Sequence, residues 1–175
     1  MGVIVEKKKP LTLVLTLDEK NQKILLGMKK RGFGSNKFNG FGGKLEPGET
    51  VIQAAHRELE EEAMIRAVDM DKIGINLFTF ENDPVALEVH VFRSTQFQGT
   101  PTETEEMRPE WFSYDMIPFD SMWADDRLWF PLFLKGQHFL GEFHFSEDQK
   151  RILEQDLRSV SQVPDEYDLS QRKLA

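Results

Sequence analysis

The chain has 175 residues, 39% of them apolar and 30% charged, with a formal net charge of −8 and no cysteine. That length suits one domain with a sizeable core, and the composition is ordinary for a globular protein. No apolar run approaches the roughly 20 residues that span a bilayer, and no disulfide framework or thiolate metal site can form. The acidic balance also argues against a basic grip on a nucleic-acid polymer.

Glu6-Lys7-Lys8-Lys9-Pro10 interrupts the N-terminus before any secretory apolar region can develop, so the expected location is cytosolic, with mitochondria or nucleus also open. Residues 1–9 are expected to be a flexible arm. Leu11 to Leu17 and Ile24 to Leu26, separated by a polar turn, predict a hairpin. Five glycines between Gly32 and Gly43 mark turns and close backbone approaches. Thr50 and Gln53 form a capping-box pattern and predict a helix to about Met64. Strands are predicted at Ile75 to Phe80, Leu87 to Phe92, Trp111 to Tyr114 and His138 to Phe145, with a short helix or turns within Phe119 to Leu134. Ser146 and Gln149 repeat the capping pattern and predict a last helix carrying Ile152, Leu153 and Leu157. From Ser161 the chain turns polar, so 10–160 reads as the domain and 161–175 as a tail. The order of elements predicts an α/β domain with helices packed on strands.

Much of the acidity is local, in residues 58–62 and 103–106. On a helix Glu58, Glu61 and Glu62 share an arc of roughly 100°, while Leu59, Ile52 and Ala63 form an adjoining stripe that can face the core. Three such carboxylates repel one another, and a hard divalent cation relieves that repulsion by using their oxygens. Glu58 and Glu62, one turn apart, make the better pair of direct ligands, and Arg57 can hold Glu61 from four residues away. A solvated acidic face is the bland alternative for the run in isolation. The surrounding residues change that balance. Gly43, Glu49, Arg57, Glu58, Leu59, Glu61, Glu62 and Ile65 stand at the spacing of the Nudix box, and the chain resembles the Nudix hydrolase family. Met64 departs from it, standing where the family has a glycine after the helix, and an altered helix exit is expected there.

The resemblance implies a mixed β-sheet sandwiched between α-helices. It also implies hydrolysis of nucleoside diphosphates linked to another moiety, with magnesium as cofactor and manganese as a substitute. By the same resemblance Gly43, Glu58, Glu61, Glu62 and Glu106 hold the metal. One of the box glutamates or Glu106 acts as base, which one being left open. Lys29, Lys44 and the Gly42-Gly43 backbone can meet phosphate, although plain surface solvation suits either lysine equally.

Four segments are similar to the animal branch of the family that acts on oxidised purine nucleoside triphosphates: residues 27–34, 39–44, 98–101 with 106–109, and 119–132. The likeness runs through most of residues 10–160. It implies that Asn39, Trp123, Asp125 and Asp126 contact the base, with Phe33, Phe78, Met107 and Trp129 lining the pocket and Thr12 beneath it. Aromatic faces can stack on a purine, and one of two adjacent acids in a partly apolar pocket can stay protonated near neutral pH. By itself Asp125-Asp126 before an aromatic helix would be an N-terminal cap pair, and Asp125 can do both. The expected substrates are 8-oxo-dGTP and 2-hydroxy-dATP, and alkylated purines are a further implication. The expected products are the monophosphate and pyrophosphate, released by a monomer with no nucleic-acid or membrane partner. The alternatives are a Nudix enzyme for another nucleoside diphosphate derivative and a non-catalytic nucleotide-binding domain. His90 reads as structural and His56 as a solvated helix residue.

Overall fold

The computed structural model describes residues 3–174, so residues 1, 2 and 175 of the expected arm and tail lie outside the described residues. The strands in chain order are β1 (Lys7–Asp18), β2 (Lys23–Lys29), β3 (Phe38–Asn39), β4 (Arg66–Ala67), β5 (Asp71–Phe80) and β6 (Asp83–Ser94). They continue with β7 (Phe97–Gln98), β8 (Met107–Ser113), β9 (Phe139–Phe145) and β10 (Ile152–Ser159). Helix α1 (Val51–Ala63) follows β3, α2 (Asp126–Leu134) precedes β9, and short 3-10 turns occupy Tyr114–Met116, Phe119–Ser121 and Leu169–Gln171. Strands and helices together give the mixed α/β character expected from the sequence.

The described residues fall into two compact units. Residues 12–71 and 92–123 form one. In it β1 and β2 make the expected hairpin, with Thr16 opposite Leu25, and β8 pairs with β2 from Lys23↔Ser113 to Lys29↔Met107. Helix α1 forms where its sequence has both an apolar stripe and a strong start signal. The Gln53 amide donates to the Thr50 hydroxyl at 3.2 Å and the Thr50 amide donates to the Gln53 side chain at 2.9 Å. A cap of this kind contributes about 1 kcal/mol. Ala55, Leu59 and Ala63 are buried with Val14, Leu25, Phe41 and Ile65. Ile52, expected on the same stripe, is 44% exposed. By rotation it shares the face of Leu59 and Ala63, but it lies in the first turn, at the end of the stripe.

The expected altered helix exit is not found. Met64 caps α1 at φ 59° and ψ 31°, the left-handed conformation a glycine would take, and its amide donates to the Glu60 carbonyl at 2.9 Å. The exit keeps its course while a side chain occupies a conformation that favours glycine.

The second unit comprises 3–11, 72–91 and 124–174. Here β5 runs parallel to β9, from Gly74↔Phe139 to Phe80↔Phe145, and β10 pairs antiparallel with β9. The last predicted helix is therefore a strand. Ser146 and Gln149 do not cap a helix. The Gln149 amide donates to the Ser146 carbonyl at 2.8 Å and the Arg151 amide to the Ser146 hydroxyl at 3.1 Å, which closes a turn into β10. Its apolar residues are at most half-buried, as befits a strand that pairs with β9 alone.

The expected arm and tail both make specific contacts. Lys7 to Lys9 belong to β1, and the Glu6 amide donates to the Pro84 carbonyl at 2.9 Å. Tyr167 is 2% exposed, packed with Ile75, Leu77 and Ala86, and its hydroxyl donates to buried Glu142. The Lys173 and Leu174 amides donate to the same carboxylate at 2.8 and 3.0 Å. Buried Glu142 thus takes these three partners from the polar C-terminal stretch, while buried Glu88 accepts the Tyr167 amide at 2.9 Å in addition to Lys8 and His90. No helix among the described residues is long and apolar enough to cross a membrane.

Candidate functional site

The acidic residues of α1 are organised by one guanidinium. Arg57 Nε and Nη2 donate to the two oxygens of Glu49 at 2.6 and 2.9 Å, a bidentate grip on a residue just before the helix. Nη1 reaches Glu58 at 3.0 Å and Glu61 at 3.2 Å, and Nη2 also meets the Lys44 carbonyl at 3.1 Å. The pair with Glu61 was expected. The grip on Glu49 was not, although eight residues place one partner before the helix and the other two turns into it. This contact holds the Glu49 carboxyl down to about 2, chiefly through the Arg57 hydrogen bonds. Arg57 itself is raised above its usual value by Glu49 first and Glu58 after it. It is a positioning group, pinned at one end and directing two carboxylates with the other.

Glu62 sits apart from that clamp. It is 3% exposed and accepts the Gly42 amide at 2.8 Å. Burial pushes its carboxyl up to about 8, against the Gly42 bond, and the charges of Glu58 and Glu106 add to the rise while Lys29 opposes it. Glu58 is raised for the same first reason, desolvation, with the Arg57 bond working against it.

The glycine-rich loop fits between these groups because it lacks side chains. A β-carbon on Gly42 would lie 1.8 Å from the Thr12 carbonyl oxygen, and one on Gly43 would lie 2.7 Å from Glu58 Oε1. The Gly43 carbonyl accepts the Thr12 amide at 2.9 Å and retains a second lone pair. The donors brought together here are carboxylate and carbonyl oxygens, which suit a hard divalent cation. Among the described residues, no three acidic or imidazole groups converge into a ready-made cage. Magnesium does not require one, since it commonly takes one or two carboxylates and fills its remaining positions with water and substrate phosphate. Glu106 is exposed on a loop, with Arg31 at 3.9 Å, yet close enough for its charge to raise both Glu58 and Glu62.

Of the other expected residues in this unit, Lys29 is half-buried on β2 and Lys44 is exposed. Thr12 is buried on β1, and Asn39 uses its side-chain oxygen to accept the Gly40 amide at 2.8 Å. Phe33, 60% exposed, stacks on Trp123 with centroids 5.0 Å apart, and Lys37 lies over the same indole at 5.3 Å. Met107 is 2% exposed and packed in the core with Phe41 and Leu59.

In the second unit, Asp125 precedes α2 but makes no side-chain cap bond. It instead accepts the Trp129 indole N–H at 2.8 Å. Burial raises the Asp125 carboxyl to about 6, with the Trp129 bond opposing. Asp126 is also buried, in the first turn of α2. Trp129 stacks on Phe139 at 5.5 Å, and Phe78 on β5 stacks on Phe143 at 5.7 Å. Phe130 is fully buried core. His90 is buried with its Nε2 2.8 Å from Glu88, and His56 is exposed, as expected.

The chain matches the NUDIX domain family over residues 7–133. It is 50% identical over 149 residues to the oxidized purine nucleoside triphosphate hydrolase of Mus musculus, covering 85% of this chain and 94% of that relative. To the protein of the same description in Danio rerio it is 53% identical over 137 residues, covering 78% of this chain and 86% of the relative. Its fold is like that of the MutT protein from Bacillus halodurans, with a TM-score of 0.75, 24% identity, and coverage of 85% of this chain and 97% of that one. With the Gly43, Glu49, Arg57 and Glu58-to-Glu62 constellation assembled around one helix, the chain belongs to the Nudix hydrolase family.

Proposed function

We propose that the protein is a magnesium-dependent pyrophosphohydrolase of oxidised purine nucleoside triphosphates such as 8-oxo-dGTP and 2-hydroxy-dATP. Water adds at phosphorus, one phosphoanhydride bond breaks, and the monophosphate and pyrophosphate leave. The reading rests on the Arg57 clamp over Glu49, Glu58 and Glu61 beside buried Glu62, in a chain half identical to relatives of that description. Glu58, Glu61, Glu62, Glu106 and the Gly43 carbonyl would hold the divalent ion, with manganese as a substitute. When bound, the ion neutralises phosphate charge and lowers the pKa of coordinated water. Arg57 keeps two of the carboxylates oriented before substrate arrives. Without the ion, burial raises Glu62 to about 8, so holding the ion there would release its proton near neutral pH. Lys29 and the Gly42-Gly43 backbone lie beside these groups and can meet phosphate oxygens.

Asp125 and Asp126 read the purine edge. With its carboxyl near 6, Asp125 donates when protonated and accepts when ionised, so one position serves more than one oxidised base. The biological consequence is a nucleotide pool cleared of damaged purines before polymerases use them, by a monomer in the cytosol. A panel of 8-oxo-dGTP, 2-hydroxy-dATP, O6-methyl-dGTP, dGTP, ADP-ribose and a dinucleoside polyphosphate tests this, each with and without magnesium. The oxidised purines should show the highest kcat/KM. Equal turnover of dGTP and 8-oxo-dGTP would overturn the substrate assignment.

A further inference from the structure

The final turn of α1 leaves backbone carbonyls that the helix itself cannot satisfy. The loop at 102–107 supplies their partners. The Thr102 amide donates to the Ala63 carbonyl at 3.0 Å, and the Thr104 hydroxyl donates to the Glu62 carbonyl at 3.1 Å. The same hydroxyl accepts the Met107 amide at 3.2 Å, while the Thr104 amide donates to the Met107 carbonyl at 2.9 Å. Residues 104–107 therefore form a closed turn, and Glu106 sits within it. On the other side, the Lys30 amide donates to the Glu106 carbonyl at 2.9 Å and Lys30 Nζ to the Thr104 carbonyl at 2.9 Å.

A hydroxyl has one proton and two acceptor lone pairs, so donating to α1 and accepting from the turn uses it in both directions. It joins the backbone of the most buried box carboxylate to the turn that carries the remote one. The backbones of Glu62 and Glu106 cannot shift relative to one another without breaking one of these bonds. Glu106 already lies within electrostatic reach of Glu58 and Glu62.

We propose that Thr104 is a positioning residue, whose hydroxyl sets the placement of Glu106 against the carboxylates of α1 and thereby the affinity for the divalent ion. This inference rests on the reading of that cluster as the metal site. Thr104→Val keeps the shape and removes the hydroxyl, whereas Thr104→Ser keeps the hydroxyl.

Binding of Mn2+ alone to the full chain, measured by calorimetry without nucleotide, gives a readout separate from turnover. Thr104→Val should weaken it 10–100-fold, the range for groups that orient metal ligands, and lower kcat with KM for 8-oxo-dGTP nearly unchanged. Thr104→Ser should stay within about threefold of the parent. In a Glu106→Gln background, Thr104→Val should add little further loss, because the group it positions no longer ligates in the same way. Parent-like Mn2+ binding by Thr104→Val would overturn the proposal. So would equal losses in the Val and Ser variants, or a full additional loss on top of Glu106→Gln, including loss through unfolding. A parent protein that neither binds Mn2+ nor turns over any nucleotide would instead remove the metal-site reading itself.

Discussion

Replacing Glu62 with glutamine should stabilise the metal-free protein at high pH while abolishing turnover. In the fold the Glu62 carboxyl is raised from 4.5 to about 8 by burial, against the hydrogen bond it accepts from the Gly42 amide at 2.8 Å. The unfolded chain releases that proton near 4.5, so between these values the folded state binds more protons than the unfolded state. Stability contributed by protonated Glu62 is then fully present below about 4.5 and is lost as pH rises towards 8. The ratio of the two protonation constants is on the order of several thousand, which sets an upper limit of about 4–5 kcal/mol for the loss. Glutamine resembles the protonated acid in shape and can still accept the Gly42 amide, but it never ionises. In EDTA, urea unfolding of parent and Glu62→Gln should coincide at pH 5, apart from a small constant offset. Their difference should grow to about 2–4 kcal/mol in favour of the variant by pH 9. Hydrolysis of 8-oxo-dGTP with magnesium should be undetectable in the variant at every pH. A stability difference that does not change between pH 5 and 9 would refute the assignment of a burial-raised carboxyl at this position.

Two other perturbations test the helix exit and the base-reading acid. Met64→Gly relieves a left-handed residue that costs about 1–2 kcal/mol and gives back part of that through the added freedom of the unfolded chain. Because Met64 is 57% exposed, little packing is lost, and a net gain of about 0.5–1 kcal/mol with an unchanged m-value is expected in urea unfolding; a loss of stability would mean that the side chain has a packing role. Trp129→Phe keeps a ring against Phe139 and removes the indole N–H that opposes the rise of Asp125. The pH at which KM for 8-oxo-dGTP changes, expected near 6 in the parent, should move upward, and a midpoint that stays or falls would sever Asp125 from base recognition.

What could be read before the fold was known divides by range. The β1–β2 hairpin and α1 were legible because their signals are local: alternation, a turn, a capping box and an apolar stripe within a few residues of one another. The strand β10 was not, because Ser146-x-x-Gln149 closes a β-turn with the same side chains that open a helix. Only β9, whose backbone pairs with Ile152 to Ser159, decides between the two, and that pairing leaves no mark within the window. The contacts of the polar stretch after Ser161 are not legible for a related reason. Its composition is that of a solvated tail, yet one tyrosine and two backbone amides meet the Glu142 carboxylate, whose burial is set on another strand.

The candidate site shows the same division within a single motif. Spacing along α1 was enough to place Glu58, Glu61 and Glu62 on one face, because helical geometry converts residue number directly into angle. It could not show that they would be held by different donors. Arg57 takes Glu58 and Glu61, anchored from behind by Glu49, while Glu62 is claimed by a backbone amide from a loop twenty residues earlier. Repulsion between like charges is therefore met group by group, leaving Glu62 buried and basic where Glu49 is held strongly acidic. The departure at Met64 is consistent with this arrangement. The site needs the chain to turn after Ala63 so that the 102–104 loop can reach the last carbonyls of α1. A methionine in the left-handed conformation meets that need at some cost in stability. A backbone requirement can thus be kept when the residue that usually serves it is lost.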